Sequence, residues 1–205
     1  MVRRTKADAL HTRNQILDAA EQVFISAGVA RTSLQDIATQ AGVTRGAIYW
    51  HFQDKAEVFT AMMDRVLMPC ECAMNQIPEH AGSDPMAQVE AMALLPLVQL
   101  TKDAHLQRVF TIAMHMTEYT ADMLKVQDRH LEGVARFLDA LAERLDHARR
   151  LGHLAPAADT QVMARALFSL VDGLMHNWTL QPERFDLLAV AQPAVACFLR
   201  GARAG

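Results

Sequence analysis

Apolar residues in this 205-residue chain recur at steps of three and four, and no convincing stretch alternates at steps of two. A helix turns every 3.6 residues and a strand alternates every two, so the pattern favours helices over a half-buried sheet. Ile16, Leu17, Ala20, Val23 and Phe24 form one stripe, closed by Gly28. Leu34, Ile37 and Ala38 form a shorter one, broken by Gly42, and Thr32 to Gln35 has the spacing of a capping box. Thr44 is placed to cap a third segment, RGAIYW, and Asp54 with Glu57 to open a fourth through Val58, Met62 and Val66. Pro69 falls where that helix is expected to end or kink. Residues 77–84 have the composition of a loop, and Asp84-Pro85 is an N-cap followed by a first-turn proline. In the helix that follows, Pro96 predicts a kink. Further helices are expected over about 104–117, 122–151 (closed by Arg149, Arg150 and Gly152), 160–179 (capped by Asp159) and 185–199, the last interrupted by Pro193. The prediction is all-α, with about nine helices and no sheet. A boundary near residue 55 separates a small N-terminal module from a larger helical body.

Several function classes find no support in this pattern. No apolar run approaches the roughly 18 residues that cross a membrane. The opening MVRRTKADALHTR lacks the apolar core of a secretory signal. Three cysteines, Cys70, Cys72 and Cys197, fit no disulfide framework, so a reduced, cytoplasmic protein is expected. Cys70-x-Cys72 with His80 nearby leaves a soft-metal or oxidation-sensing role open, against the commoner reading of idle thiols. Despite nine histidines there is no His-Glu-x-x-His and no Cys-x-x-Cys, nor a glycine-rich phosphate loop or nucleophile elbow. His115, between Met114 and Met116, has the setting of a satisfied polar residue rather than a base. No enzyme, cofactor or metal is expected.

Charge distribution says more than net charge. Residues 1–55 carry seven Lys/Arg against five Asp/Glu, and residues 56–205 carry 13 against 18. A mildly basic module on an acidic body hints at a polyanionic partner, although many solvated N-termini look alike. Residues 33–50 form two short helices joined at Gly42, the spacing of a helix-turn-helix whose second helix enters the DNA major groove. Arg45 is then the candidate for a guanine edge, because its guanidinium fork matches two acceptors. Thr44 is placed for phosphate or a thymine methyl, and Tyr49, Trp50 and His51 for the backbone. Lys55, with the amides opening the fourth helix, would clamp phosphate. Ile48 and Phe52 are expected inside. The same pattern occurs in helical hairpins that bind no DNA, so spacing alone leaves both readings open.

Residues 12–59, TRNQILDAAEQVFISAGVARTSLQDIATQAGVTRGAIYWHFQDKAEVF, resemble the DNA-binding domain of TetR-family transcriptional regulators. Gly28, the Thr-Ser pair, Ile37-Ala38, Ala41-Gly42-Val43, Gly46, Tyr49, His51-Phe52 and Lys55 carry the likeness. RRTK at the start, GVTRGAIYWHF and DGL at 172–174 are similar to the AcrR-like branch, repressors of multidrug efflux pump genes. The resemblance implies a DNA-binding domain over 1–55 and a ligand-binding and dimerisation domain over 56–205. It adds Lys6, Thr32 and Ser33 to the DNA-contacting set. It implies a homodimer through the last two helices, with Val162, Ala166, Leu170, Leu174, Trp178 and Phe198 as contacts. A chamber for a small hydrophobic or amphipathic inducer is implied at Met92, Leu95, Pro96, Phe110, Met114, Phe137, Leu138, Phe168, Val171, Asp172, Met175 and His176. Asp172 and Glu118 are its possible polar anchors. Twelve methionines suit an adaptable pocket, though a methionine at helical spacing is usually core. The expected function is a repressor on a palindromic operator, released by ligand, with the fourth helix as lever. A regulator of metabolic genes, or a helical ligand-binding protein without a DNA role, remains the alternative.

Overall fold

The computed structural model describes residues 6–75, 84–118 and 120–202; nothing is stated of the side chains of 69–75 and 122. Among the described residues there are nine α-helices and no strand. They are α1 (Lys6–Ala27), α2 (Leu34–Gln40), α3 (Arg45–His51), α4 (Lys55–Asn75), α5 (Pro85–Lys102), α6 (Ala104–His115), α7 (Leu124–Arg150), α8 (Thr160–Leu180) and α9 (Leu187–Ala202). Short 3-10 turns at Ala121–Met123 and Pro182–Arg184 precede α7 and α9.

Helix ends follow local chemistry. Asp54 accepts from the Glu57 amide at 2.8 Å, and the Glu57 carboxylate accepts from the Gln53 amide at 2.7 Å. Asp84 accepts from Met86, and Asp159 from Gln161 and Val162. Two caps differ from the sequence expectation. The capping box of α2 is Ser33 with Asp36, not Thr32 with Gln35. The start of α9 moves from 185 to Leu187 because Asp186 takes the amides of Leu188 and Ala189. The three prolines interrupt less than expected: α4 continues past Pro69, α5 past Pro96 and α9 past Pro193. Each removes one ladder donor, a loss that a long packed helix tolerates. The predicted loop over 77–84 lies outside the described residues but for Asp84.

The chain divides into two compact units. One runs through Met68 and takes in Arg108–Asp128; the other comprises Pro69–Gln107 and Arg129–Gly205. By packing, the first unit reaches to Met68, within α4. α4, α6 and α7 each pass from one unit into the other.

In the first unit Ile16, Leu17, Ala20 and Phe24 of α1 are fully buried, with Ile37, Ile48, Phe52, Val58 and Met62. The Phe24 and Phe59 rings meet at 6.1 Å. Burying each of the larger of these side chains contributes about 1.5–3 kcal/mol. In the second unit α5, α8 and α9 pack together through Val89, Leu97, Leu167, Val171, Val195 and Leu199. Asp146 of α7 accepts from Thr160 at 2.9 Å and pairs with Arg149 at 2.7 Å. Arg149 also donates to the Ala158 carbonyl, so one charged group fixes the turn into α8.

Candidate nucleic-acid interface

The short helices α2 and α3 are joined by a turn that only a glycine fits easily. Gly42 has φ 65, the left-handed region that costs a side chain roughly 1–2 kcal/mol. Its amide donates to Thr39, and that of Val43 to Ala38, so the last carbonyls of α2 are satisfied. Thr44 then caps α3, accepting from the Ala47 amide at 3.1 Å. With the chain reversed so sharply, Ile48 and Phe52 are driven inward and are essentially inaccessible.

The opposite edge of α3 is left to solvent. Arg45, Gly46, Tyr49 and Trp50 are all exposed, Trp50 by 73%. The Arg45 guanidinium lies 5.6 Å from the centre of the Tyr49 ring, one helical turn on. A cation held over an aromatic face has fewer rotamers to lose on binding. His51 is half-buried, edge-on to Trp50 at 4.5 Å. Thr44 and Ser33 are exposed at the N-termini of the two helices, where free amides favour an anion. Lys6 is exposed at the start of α1.

Two expected DNA contacts sit differently. Thr32 is only 4% exposed, and its hydroxyl donates to the Gly28 carbonyl at 2.8 Å. Its side chain is thereby committed to the fold, a correction to its place in the contacting set. Lys55 is half-buried, and its ammonium donates to the Ala30 carbonyl at 3.2 Å, binding the first residue of α4 to the turn before α2. Several residues escaped the sequence reading. Arg13 of α1 stacks over Phe52 at 5.2 Å. Asp36, rather than Gln35, completes the α2 cap; the Ser33 hydroxyl, then the Ser33 amide, donate to it and hold its pKa below the ordinary 3.8. Glu21 is a buried acid paired with two arginines.

The expected inducer residues fall in both units. In the second, Met92, Leu138, Val171 and Met175 are buried. Leu95, Pro96, Phe137 and Phe168 are half-buried, with the Phe137 and Phe168 rings 5.9 Å apart. Asp172 and His176 are exposed, outside the buried stripe of α8. In the first unit Phe110 and Met114 are half-buried and Glu118 is exposed. Of the expected dimer contacts, Val162 is 63% exposed, Ala166 is exposed, and Leu170, Leu174 and Phe198 are half-buried. Trp178 is instead buried within its own chain. It lies about 160° around α8 from Val162, on the inner face, and is corrected to a core residue. Among the described residues no three His, Cys, Asp or Glu side chains gather to hold a metal, and no helix is long and apolar enough to cross a membrane. The side chains of Cys70 and Cys72, and His80 altogether, lie outside the described residues.

A short capped helix that buries one edge against its neighbour and offers an arginine-led edge outward is the working part of helix-turn-helix DNA-binding proteins. Residues 16–62 match the model of the bacterial regulatory proteins of the tetR family, and residues 84–202 that of the C-terminal region of MAATS-type transcriptional repressors. The chain belongs to the tetR family of transcriptional regulators, within its AcrR-like branch. It is 39% identical to the HTH-type transcriptional regulator TtgR of Pseudomonas putida over 188 residues, 92% of this chain and 90% of TtgR. Among solved structures it is similar to NalD, the secondary repressor of the MexAB-OprM multidrug efflux pump in Pseudomonas aeruginosa. There the TM-score is 0.86 and the identity 34%, over 95% of this chain and 98% of NalD. The complex of SmeT with triclosan gives a TM-score of 0.78 and 33% identity, over 95% of this chain and 92% of SmeT. SmeT is the repressor of the Stenotrophomonas maltophilia multidrug efflux pump SmeDEF.

Proposed function

We propose that this regulator is a cytoplasmic homodimeric repressor of a multidrug efflux operon, bound to a palindromic operator and released by a small hydrophobic or amphipathic compound. The observation that carries the reading is the outward edge of α3. Arg45 leads it from a capped N-terminus, backed by Tyr49, while Ile48 anchors the opposite edge in the core. An arginine presented this way suits the two acceptors of a guanine in the major groove. Two such edges read a palindrome when a partner copy spaces them one or more DNA turns apart. The outer faces of α8 and α9 offer an apolar surface for that partner, with Val162, Leu180 and Val190 exposed. Ligand that binds better when the heads are splayed shifts the population away from the DNA-binding spacing. NalD and SmeT, named as efflux pump repressors, supply the biological sense, and the SmeT complex makes triclosan the first compound to try.

The direct test is a gel shift with DNA from upstream of the chain's own gene, at low salt, with and without triclosan. Retardation that competitor DNA of scrambled sequence does not abolish is expected. No retardation would favour a ligand-binding protein without a DNA role. For the chamber, Phe168→Trp is expected to change the triclosan response by about tenfold, the scale of a lost hydrophobic contact. Operator affinity without ligand should stay unchanged. Loss of DNA binding in that variant would mark Phe168 as plain core.

A further inference from the structure

Where α1 and α6 end, a cavity of about 190 Å³ opens to solvent, wholly within the first unit. At about 30 Å³ per water it has room for roughly six. Pockets for drug-sized ligands run to about 300–1,000 Å³ and are mostly apolar. This one is smaller, and its walls are polar rather than apolar. A compound that fits it is small and polar, unlike the hydrophobic inducer considered above.

Two opposite charges share these walls without pairing. Arg31 stands just beyond α1 and Glu118 just beyond α6, and both are exposed. The Arg31 Nε donates to the Ala27 carbonyl at 2.8 Å, which holds the guanidinium against the end of α1. Among the described residues nothing accepts from its two terminal nitrogens, and the Glu118 carboxylate has neither a hydrogen bond nor an ion pair. A fork of N–H donors matches the two oxygens of a carboxylate.

The remaining walls suit a cation. Both helices present their C-terminal ends here, where the dipole is negative. The chain's own cations already exploit the turn after α1: Arg31 takes the Ala27 carbonyl and Lys55 the Ala30 carbonyl. On the side of α6, the Thr117 hydroxyl donates to the Ile112 carbonyl at 2.8 Å, so its oxygen is left to accept. An ammonium therefore meets a carboxylate, a hydroxyl oxygen and backbone carbonyls, a few ångströms of water away from a carboxylate-binding fork.

We propose that this cavity binds a small zwitterion of the amino-acid type, its carboxylate on Arg31 and its ammonium on Glu118 and Thr117. The site uses neither α3 nor the apolar residues expected to hold an inducer, so it stands whether or not the repressor reading holds.

Backbone amide NMR of the full-length protein without DNA tests this. The titrants are glycine and L-serine, with acetate and methylammonium at matched ionic strength. Saturable shifts are expected at the amides of Gly28, Arg31 and Thr117 with the amino acids. Their binding should be about tenfold or more tighter than that of either half-molecule, the scale of one added charge-assisted hydrogen bond. Glu118→Gln is expected to weaken glycine about tenfold and leave acetate unchanged; Arg31→Gln should weaken glycine as much and leave methylammonium unchanged. Both side chains are exposed, so both variants keep the fold, as the rest of each spectrum will verify. The site is overturned if neither amino acid shifts these amides saturably. It is also overturned if acetate or methylammonium binds as tightly as glycine, or if either variant binds glycine as the parent does.

Discussion

Single residues decide which edge of each short helix faces out. Ser33 illustrates how finely. It caps α2 and, by donating to Asp36, stabilises the carboxylate form. Ser33→Ala is expected to cost about 1 kcal/mol, visible as a lower thermal midpoint. The sign of the pH dependence follows from the lowered pKa of Asp36. Its contribution is fully present above the ordinary 3.8 and is lost as pH falls through the depressed folded value. Thermal midpoints of the parent and Asp36→Asn should differ at neutral pH and converge in acid; a constant difference down to the acid limit would remove Asp36 from this role. The sequence suggested a capping box here but attached it one residue early. Thr32 and Ser33 carry the same hydroxyl chemistry; what separates them is that the Thr32 hydroxyl is buried and donates back to the Gly28 carbonyl, while that of Ser33 is left to cap α2.

At the scale of elements, the turn between α2 and α3 is the sensitive joint. Gly42→Ala places a Cβ at φ 65, where no neighbouring atom obstructs it, so the expected penalty is the backbone cost of about 1–2 kcal/mol. Denaturant unfolding measures it. A neutral result would mean the turn relaxes to another conformation. Helix positions were largely legible because their stripes are long and their caps are short-range chemistry: Thr44, Asp54, Asp84 and Asp159 each cap where expected. The prolines misled because a missing amide reads locally as a break, whereas a helix held on one face by packing continues. The ties of Glu21 to Arg65 and Arg108 were invisible, since nothing local to a buried acid announces a partner 87 residues away.

For the whole molecule, the exposed apolar edge of α8 and α9, proposed above as the dimer face, has the greatest consequence. Val162→Asp places a charge on a surface 63% exposed in one chain. Little loss of chain stability is expected, but if this is the face of the proposed dimer, the pair should dissociate and operator affinity fall by at least tenfold, the scale of a desolvated charge. Sedimentation and operator titration check the two halves separately. A dimer that persists would place the partner elsewhere. Trp178 was read onto this face because α8 is apolar nearly all round; periodicity marks a stripe well only when the opposite side is polar.

The most direct measurement is the affinity of the parent and of Arg45→Ala for the upstream DNA and for a scrambled sequence, across a range of salt. A guanine-reading arginine predicts a loss of about 1–3 kcal/mol on the upstream DNA, little change on scrambled DNA, and a steep fall of both with salt. The dimer should remain intact. Equal affinity of parent and variant for the upstream DNA would contradict a head that reads its site through Arg45.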